Sequence, residues 1–160
     1  YTYRFDLLEA VDDFHFEIMS PTEFMKFVSN TEEIFDLLKS NRLRYLNDIR
    51  NETHIVALSG NKIVAVGGVQ KNPYNPIQLW IKHISVDPEY KGLGLGRQIL
   101  EKIYKFAVEH DLKVKPGSFT DEGEARLKHI HDELEAKYPE SSFSKDSQGR
   151  YIDDQGRIIS

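Results

Sequence analysis

The sequence predicts an α+β domain, with a mixed, mostly antiparallel central sheet flanked by helices. Three observations carry this. Short apolar runs at Ile55–Leu58, Ile63–Val69 and Ile77–Val86 are separated by turn-rich stretches, as neighbouring antiparallel strands are. Helix-start signals introduce amphipathic segments on either side of them. A glycine-rich stretch, Val86 to Arg97, joins the last run to a long amphipathic pattern (Ile99, Ile103, Phe106, Ala107), so a strand hands over to a helix.

Taken in order, residues 1–13 read as an N-terminal extension in which Tyr3, Phe5 and Leu7 alternate like a short strand. Residues 14–160 read as one domain. Phe14, Phe16 and Ile18 alternate and predict its first strand. Ser20-Pro21-Thr22-Glu23 combines an N-cap, a proline at the first helical position and a glutamate at N3, a capping box. Asn30-Thr31-Glu32-Glu33 repeats the signal, which predicts two consecutive helices, 21–29 and 31–40, with Phe24, Phe27, Val28, Phe35 and Leu38 facing inward.

Ser59-Gly60-Asn61-Lys62 predicts a hairpin, and Lys71-Asn72-Pro73-Tyr74-Asn75-Pro76 a second turn before the third strand. The helix after the glycines is expected to end near His110, where an imidazole complements the helix dipole. Leu112–Phe119 reads as a strand whose Pro116-Gly117 marks a bulge or an edge. Thr120 or Asp121 caps the fourth helix, with its stripe of Leu127, Ile130, Leu134 and Tyr138, and Pro139 stops it. Residues 141–160 hold an internal repeat, Ser147-Gln148-Gly149-Arg150-Tyr151-Ile152 and Asp154-Gln155-Gly156-Arg157-Ile158-Ile159, which predicts a short β-meander with two tight turns.

Composition narrows the function classes. The chain has 160 residues, 39% of them hydrophobic and 11% aromatic, enough for one packed core. No apolar run approaches ~18 residues, so no membrane partner is expected, and a cytoplasmic location is the expectation. Cysteine is absent, which removes disulfides, zinc thiolates and an acyl-cysteine intermediate, and no metal site is expected. The net charge of −5 argues against a nucleic-acid surface and suits a cationic acceptor. The sequence leaves a homo-oligomer open.

Alternating glycines at Gly92, Gly94 and Gly96 can adopt positive φ and point successive N–H groups into one concavity at a helix N-terminus, which attracts phosphates. A P-loop needs Gly-Lys followed by Ser or Thr, and here Arg97 and Gln98 follow Gly96. A dinucleotide loop needs G-x-G-x-x-G in an opening βαβ unit, and neither the spacing nor the position matches. What remains is R/Q-x-x-G-x-G/A, met by Lys91-Gly92-Leu93-Gly94-Leu95-Gly96 with lysine in place of arginine or glutamine, after Val86-Asp87-Pro88-Glu89-Tyr90. This resembles the acetyl-CoA loop of the GCN5-related N-acetyltransferases (GNAT family), specifically over 81–107 and, by element order, over about 14–138.

The resemblance implies a GNAT-like fold and direct transfer of acetyl from the acetyl-CoA cosubstrate to a primary amine: a protein lysine, an N-terminus or a small amine. The pyrophosphate would rest on N–H groups from Gly92 to Arg97 (Gly92, Leu93, Gly94, Leu95, Gly96, Arg97), with Lys91 and Arg97 adding charge. Ile84, Ser85 and Val86 would pair with the pantetheine arm, and the Val86 N–H would face the thioester oxygen.

The general base is where the sequence departs from the family. Gln78 occupies the place of one branch's glutamate, and Trp80 and Lys82 those of another branch's histidines, while His83 points to the opposite face by strand alternation. On the fourth helix, matching Leu127 and Ile130 to the family stripe puts Glu124 at an asparagine position and His131 at that of the acid tyrosine. His131 is therefore the candidate catalytic acid, and His129 is expected to be solvated. Glu32, Glu33 and Asp36 could meet a cationic acceptor. The missing glutamate and tyrosine keep a second reading open, a catalytically weak or inactive CoA-binding or partner-binding module of the same fold.

Overall fold

The computed structural model describes residues 14–29, 51–116 and 122–159. The expected strand at 3–7, the second helix at 31–40 and the residues Glu32, Glu33, Phe35, Asp36 and Leu38 lie outside the described residues, as do Gly117–Asp121. The elements run β1 (His15–Met19), α1 (Pro21–Ser29), β2 (Thr53–Ser59), β3 (Lys62–Lys71), β4 (Gln78–Val86), α2 (Leu95–Glu109), β5 (Lys113–Lys115), α3 (Glu122–Lys137), β6 (Ser144–Lys145) and β7 (Tyr151–Ile152). Strands β1 to β5 form one sheet in chain order. It is mostly antiparallel, as expected, β1 pairing β2 and β2 pairing β3 in that sense. Strand β5 joins β4 in parallel, with α2 as the crossover that such a pairing needs. Among the described residues no helix is long and apolar enough to cross a membrane.

The described chain forms two compact units, one running to Val69 and resuming over Lys82–Ile99, the other made of Gln70–Ile81 and Leu100 onward. In the first, the capping box sets the start of α1: Glu23 N donates to Ser20 Oγ at 3.2 Å, and that hydroxyl donates to Glu23 Oε1. The helix then turns Phe24, fully buried, onto Met19, Val56, Leu58, Ile63 and Val66. Strands β2 and β3 are nearly continuous apolar runs because both faces are covered. Gly60 closes their hairpin with φ +62°.

In the second unit, Leu100, Ile103, Tyr104 and Ala107 of α2 are buried, as are Val114 and Leu134. Helix α2 ends as expected at Glu109, and His110 bonds Phe106 O through its ring. The reversal is made by Asp111 at φ +54°, and Leu112 N reaches back to Ala107 O, a Schellman-type cap built without glycine. Of the expected strand 112–119, residues 117–119 lie outside the described residues, and within the rest β5 covers Lys113–Lys115. It pairs only over Gln78↔Lys113 to Trp80↔Lys115, and Pro116, with no N–H to donate, follows at once. The tail is the expected meander: Asp146 and Asp153 each accept two backbone N–H groups and an arginine Nε across turns closed by Gly149 and Gly156, both at φ +78°.

Candidate active site

The stretch from β4 into α2 is built on a fixed pedestal. Asp87 N donates to Val64 O, which ties the end of β4 to β3. The Asp87 carboxylate caps a 3₁₀ turn at Pro88–Tyr90 by accepting Glu89 N at 3.0 Å, and Lys62 lies 3.6 Å from its second oxygen. Tyr90 packs edge-on against Phe14. The V-D-P-E-Y segment thus presents the chain to the glycines in one direction.

Gly92 and Gly94 then take φ +84° and +78°, and an added Cβ at either would meet nothing within 4 Å. Gln98 N makes the first helical bond of α2, to Gly94 O. The N–H groups of the helix's first turn precede that bond, and a helix leaves them without intrahelical partners. Lys91, Gly92, Gly94 and Arg97 are exposed, whereas Leu95 anchors the loop in the core at 1% exposure. Gly96 differs from the other two: its φ is not positive, and its Cβ would touch only Val86 Cγ2 at 3.8 Å. An exposed positive-φ loop with flanking cations at a helix N-terminus is chemically suited to a pyrophosphate.

The three strand residues before the loop share its unit. Ile84 and Val86 are half-buried, and Ser85 is 2% exposed with a hydroxyl that finds no partner among the described residues. Gln78 is buried, accepts Asn72 Nδ2 through Oε1, and so fixes the β3–β4 turn.

His131 is buried in the second unit, where the Tyr104 hydroxyl donates to its Nδ1 at 2.9 Å. Burial lowers its pKa to about 4, Lys145 adding to the shift and Asp132 opposing it. Burial also raises that of Tyr104, so the phenol keeps its proton. His131 is therefore neutral near pH 7. His129 is exposed, as expected.

One group of residues has no counterpart in the sequence reading. Glu52, His54 and His83 converge in the first unit: Glu52 Oε2 lies 3.0 Å from His83 Nε2 and 3.2 Å from His54 Nε2. Burial raises the Glu52 pKa, but the two imidazoles outweigh it and hold the carboxyl at about 2. Burial lowers that of His54, whose ring Phe24 stacks against at a centroid distance of 3.7 Å. Gly68, paired with His54 across the β2–β3 ladder, leaves the space: an added Cβ would run into the His83 ring and come within 2.6 Å of Glu52 Oε2. The signals were Gly67-Gly68 inside an apolar strand and a Glu-x-His opening another.

Comparison with known proteins covers most of the described chain. The profile of the acetyltransferase (GNAT) family matches residues 16–122. No curated protein matches the sequence. Among solved structures, the fold is similar to an aminoglycoside acetyltransferase from an uncultured soil metagenomic sample, with a TM-score of 0.56, 16% identity, and coverage of 77% of this chain and 88% of that one. It is also similar to the ribosomal-protein-S18-alanine N-acetyltransferase of Escherichia coli (TM-score 0.52, 16% identity, 91% and 88% covered). A third similar structure is the IAA acetyltransferase of Bacillus cereus (TM-score 0.56, 14% identity, 75% and 74% covered). With more than half of the chain matched by its profile, and the loop geometry that the motif requires, this protein belongs to the acetyltransferase (GNAT) family.

Proposed function

We propose that the protein is a cytoplasmic, acetyl-CoA-dependent N-acetyltransferase that moves an acetyl group directly from the thioester to a primary amine. The observation that carries this reading is the pair of exposed positive-φ glycines, Gly92 and Gly94, at the start of α2. Backbone N–H groups from Gly92 to Arg97 hold the pyrophosphate, Lys91 and Arg97 add charge, and the strand end at Ile84, Ser85 and Val86 pairs with the pantetheine arm. The Val86 N–H donates to the thioester oxygen as negative charge develops there. No cysteine is available to take the acetyl group, so the amine attacks the thioester itself. The acceptors named for the similar structures, an aminoglycoside and an alanine of ribosomal protein S18, support an amine acceptor without choosing one.

Calorimetric titration of acetyl-CoA tests the loop. Wild type is expected to bind, and Gly94→Glu to lose binding. Gly94→Gln, equally strained but uncharged, is expected to retain more than the glutamate variant. No binding to wild type would end this reading.

A second reading, a CoA-binding module without transfer, is favoured by one observation. His131, placed by the resemblance as the thiolate acid, is buried, neutral near pH 7 and engaged with Tyr104. Acetyl-CoA binding with no transfer across a panel of amines would select it. Turnover by wild type, lowered at least ~10-fold in His131→Ala with unchanged acetyl-CoA affinity, would instead give His131 the catalytic role.

A further inference from the structure

We propose that Glu52, His54 and His83 form a binding site for a divalent transition-metal ion of the zinc class. The three donor atoms all lie within 4.8 Å of one another. The two oxygen-to-nitrogen separations, 3.0 and 3.2 Å, approach the edge of about 3.3 Å that follows for a tetrahedron with metal–ligand bonds of 2.0–2.1 Å.

The cluster is an expensive thing to bury without a cation. Glu52 and His54 are 1% and 0% exposed, and a carboxylate buried this deeply is costly unless a positive charge and hydrogen bonds compensate it. Hydrogen bonding does not use the donors up. His83 Nε2 bonds Glu52 Oε2, but His54 Nε2, 3.2 Å from the same oxygen, makes no hydrogen bond with any described residue. A cation held between the three atoms gives both imidazole nitrogens and the carboxylate a common partner.

The surroundings hold the donors in place. Gly68 in β3 separates the two histidine-bearing strands and leaves their tips room to converge, and Phe24 stacks over His54. Two imidazoles and one carboxylate suit zinc, cobalt, nickel or iron, and disfavour calcium and magnesium, which take oxygen donors. Three protein ligands leave one tetrahedral position for a water. The competing reading is the His83 Nε2–Glu52 Oε2 hydrogen bond alone, with no ion between the three donors.

The experiment uses the full chain, stripped with a chelator, re-exposed to one equivalent of Zn²⁺ or Co²⁺ and desalted. About one retained ion per chain, a raised Tm, and the intense visible absorption of four-coordinate Co²⁺ are expected. Glu52→Gln and His83→Gln should each weaken retention at least ~10-fold, and His129→Gln, at an exposed position, should leave it unchanged. No retained ion, retention equal in all variants, or only the weak spectrum of six-coordinate Co²⁺ would overturn the site in favour of the hydrogen bond alone. The wild-type cobalt spectrum decides the matter even if the variants fail to fold, and none of these readouts depends on acetyl transfer.

Discussion

The loop that opens α2 and the polar row across β2, β3 and β4 both depend on glycine, for opposite reasons. At Gly92 and Gly94 there is ample room for a side chain, and the backbone forbids one because φ is positive. At Gly68 φ is not positive, and the room is missing because the His83 ring and the Glu52 carboxylate occupy it. A conformational glycine answers to its immediate chain neighbours. A glycine required for space answers to residues about 15 positions away in either direction, and the sequence does not say which ones.

The largest expected effect tests the spatial glycine. Gly68→Ala forces a methyl into the row and should cost about 3 kcal/mol in urea unfolding, the upper range for overpacking a well-filled core. In a His83→Ala background the same change should cost less, because the ring has gone and only the Glu52 carboxylate, the end of a side chain that can shift, remains in the way. That coupling, expected at roughly 1–3 kcal/mol, would distinguish a collision from a general intolerance of alanine in β3. Additive costs would show that Gly68 is not there for His83.

His131 extends the comparison to a second buried polar pair, at a similar or smaller magnitude. Its pKa falls from the usual 6.5 unfolded to about 4 folded, so between those values the unfolded chain binds the extra proton. Stability is therefore complete above pH 6.5 and is lost as the pH falls toward 4, by an amount on the order of 3 kcal/mol. His131→Asn should flatten that part of the stability–pH curve. An unchanged curve would mean that His131 is not the group titrating against burial.

What was legible in the sequence follows the same division. Ser20-Pro21-Thr22-Glu23 starts α1 because its partners lie within one turn of helix. The 59–62 hairpin, the glycine-rich strand-to-helix turn and the two tight turns of the tail were equally readable, each being closed by atoms two to four residues apart. The parallel pairing of β5 with β4 was not, because it joins residues about 35 positions apart. His131 falls four residues after Leu127 and three before Leu134, beside the apolar stripe, but its hydroxyl partner Tyr104 comes from α2. His83 was placed only by strand alternation, on the face opposite the expected base positions, and Glu52 and His54 were not singled out, since their meaning rests on a carboxylate and an imidazole 31 residues apart.

A smaller effect returns to the loop. Gly94→Ala introduces no collision, so its cost should be the αL penalty alone, about 1–2 kcal/mol. Gly94→Asn should cost less, because asparagine visits that region more readily. If alanine and asparagine were equally costly in thermal or urea unfolding, the positive φ would not be what selects glycine here.

Gly96 is the glycine that neither reason explains, and its substitution should have the smallest effect and the opposite sign. It lies within α2 at a φ that is not positive, and its Cβ would rest 3.8 Å from Val86 Cγ2, an ordinary contact. Gly96→Ala therefore loses only unfolded-chain entropy and should stabilise the protein by about 0.5 kcal/mol. The motif points the same way, since R/Q-x-x-G-x-G/A accepts alanine at this last position and not at the place of Gly94. Acetyl-CoA affinity should accordingly be unchanged in Gly96→Ala and reduced in Gly94→Ala, where the distorted backbone would re-aim the N–H groups that the ligand needs. A loss of affinity in Gly96→Ala with stability intact would mean that the ligand approaches the helix closely enough to feel one methyl group. Gly96 would then join Gly68 as a glycine kept for space, with the ligand as its neighbour.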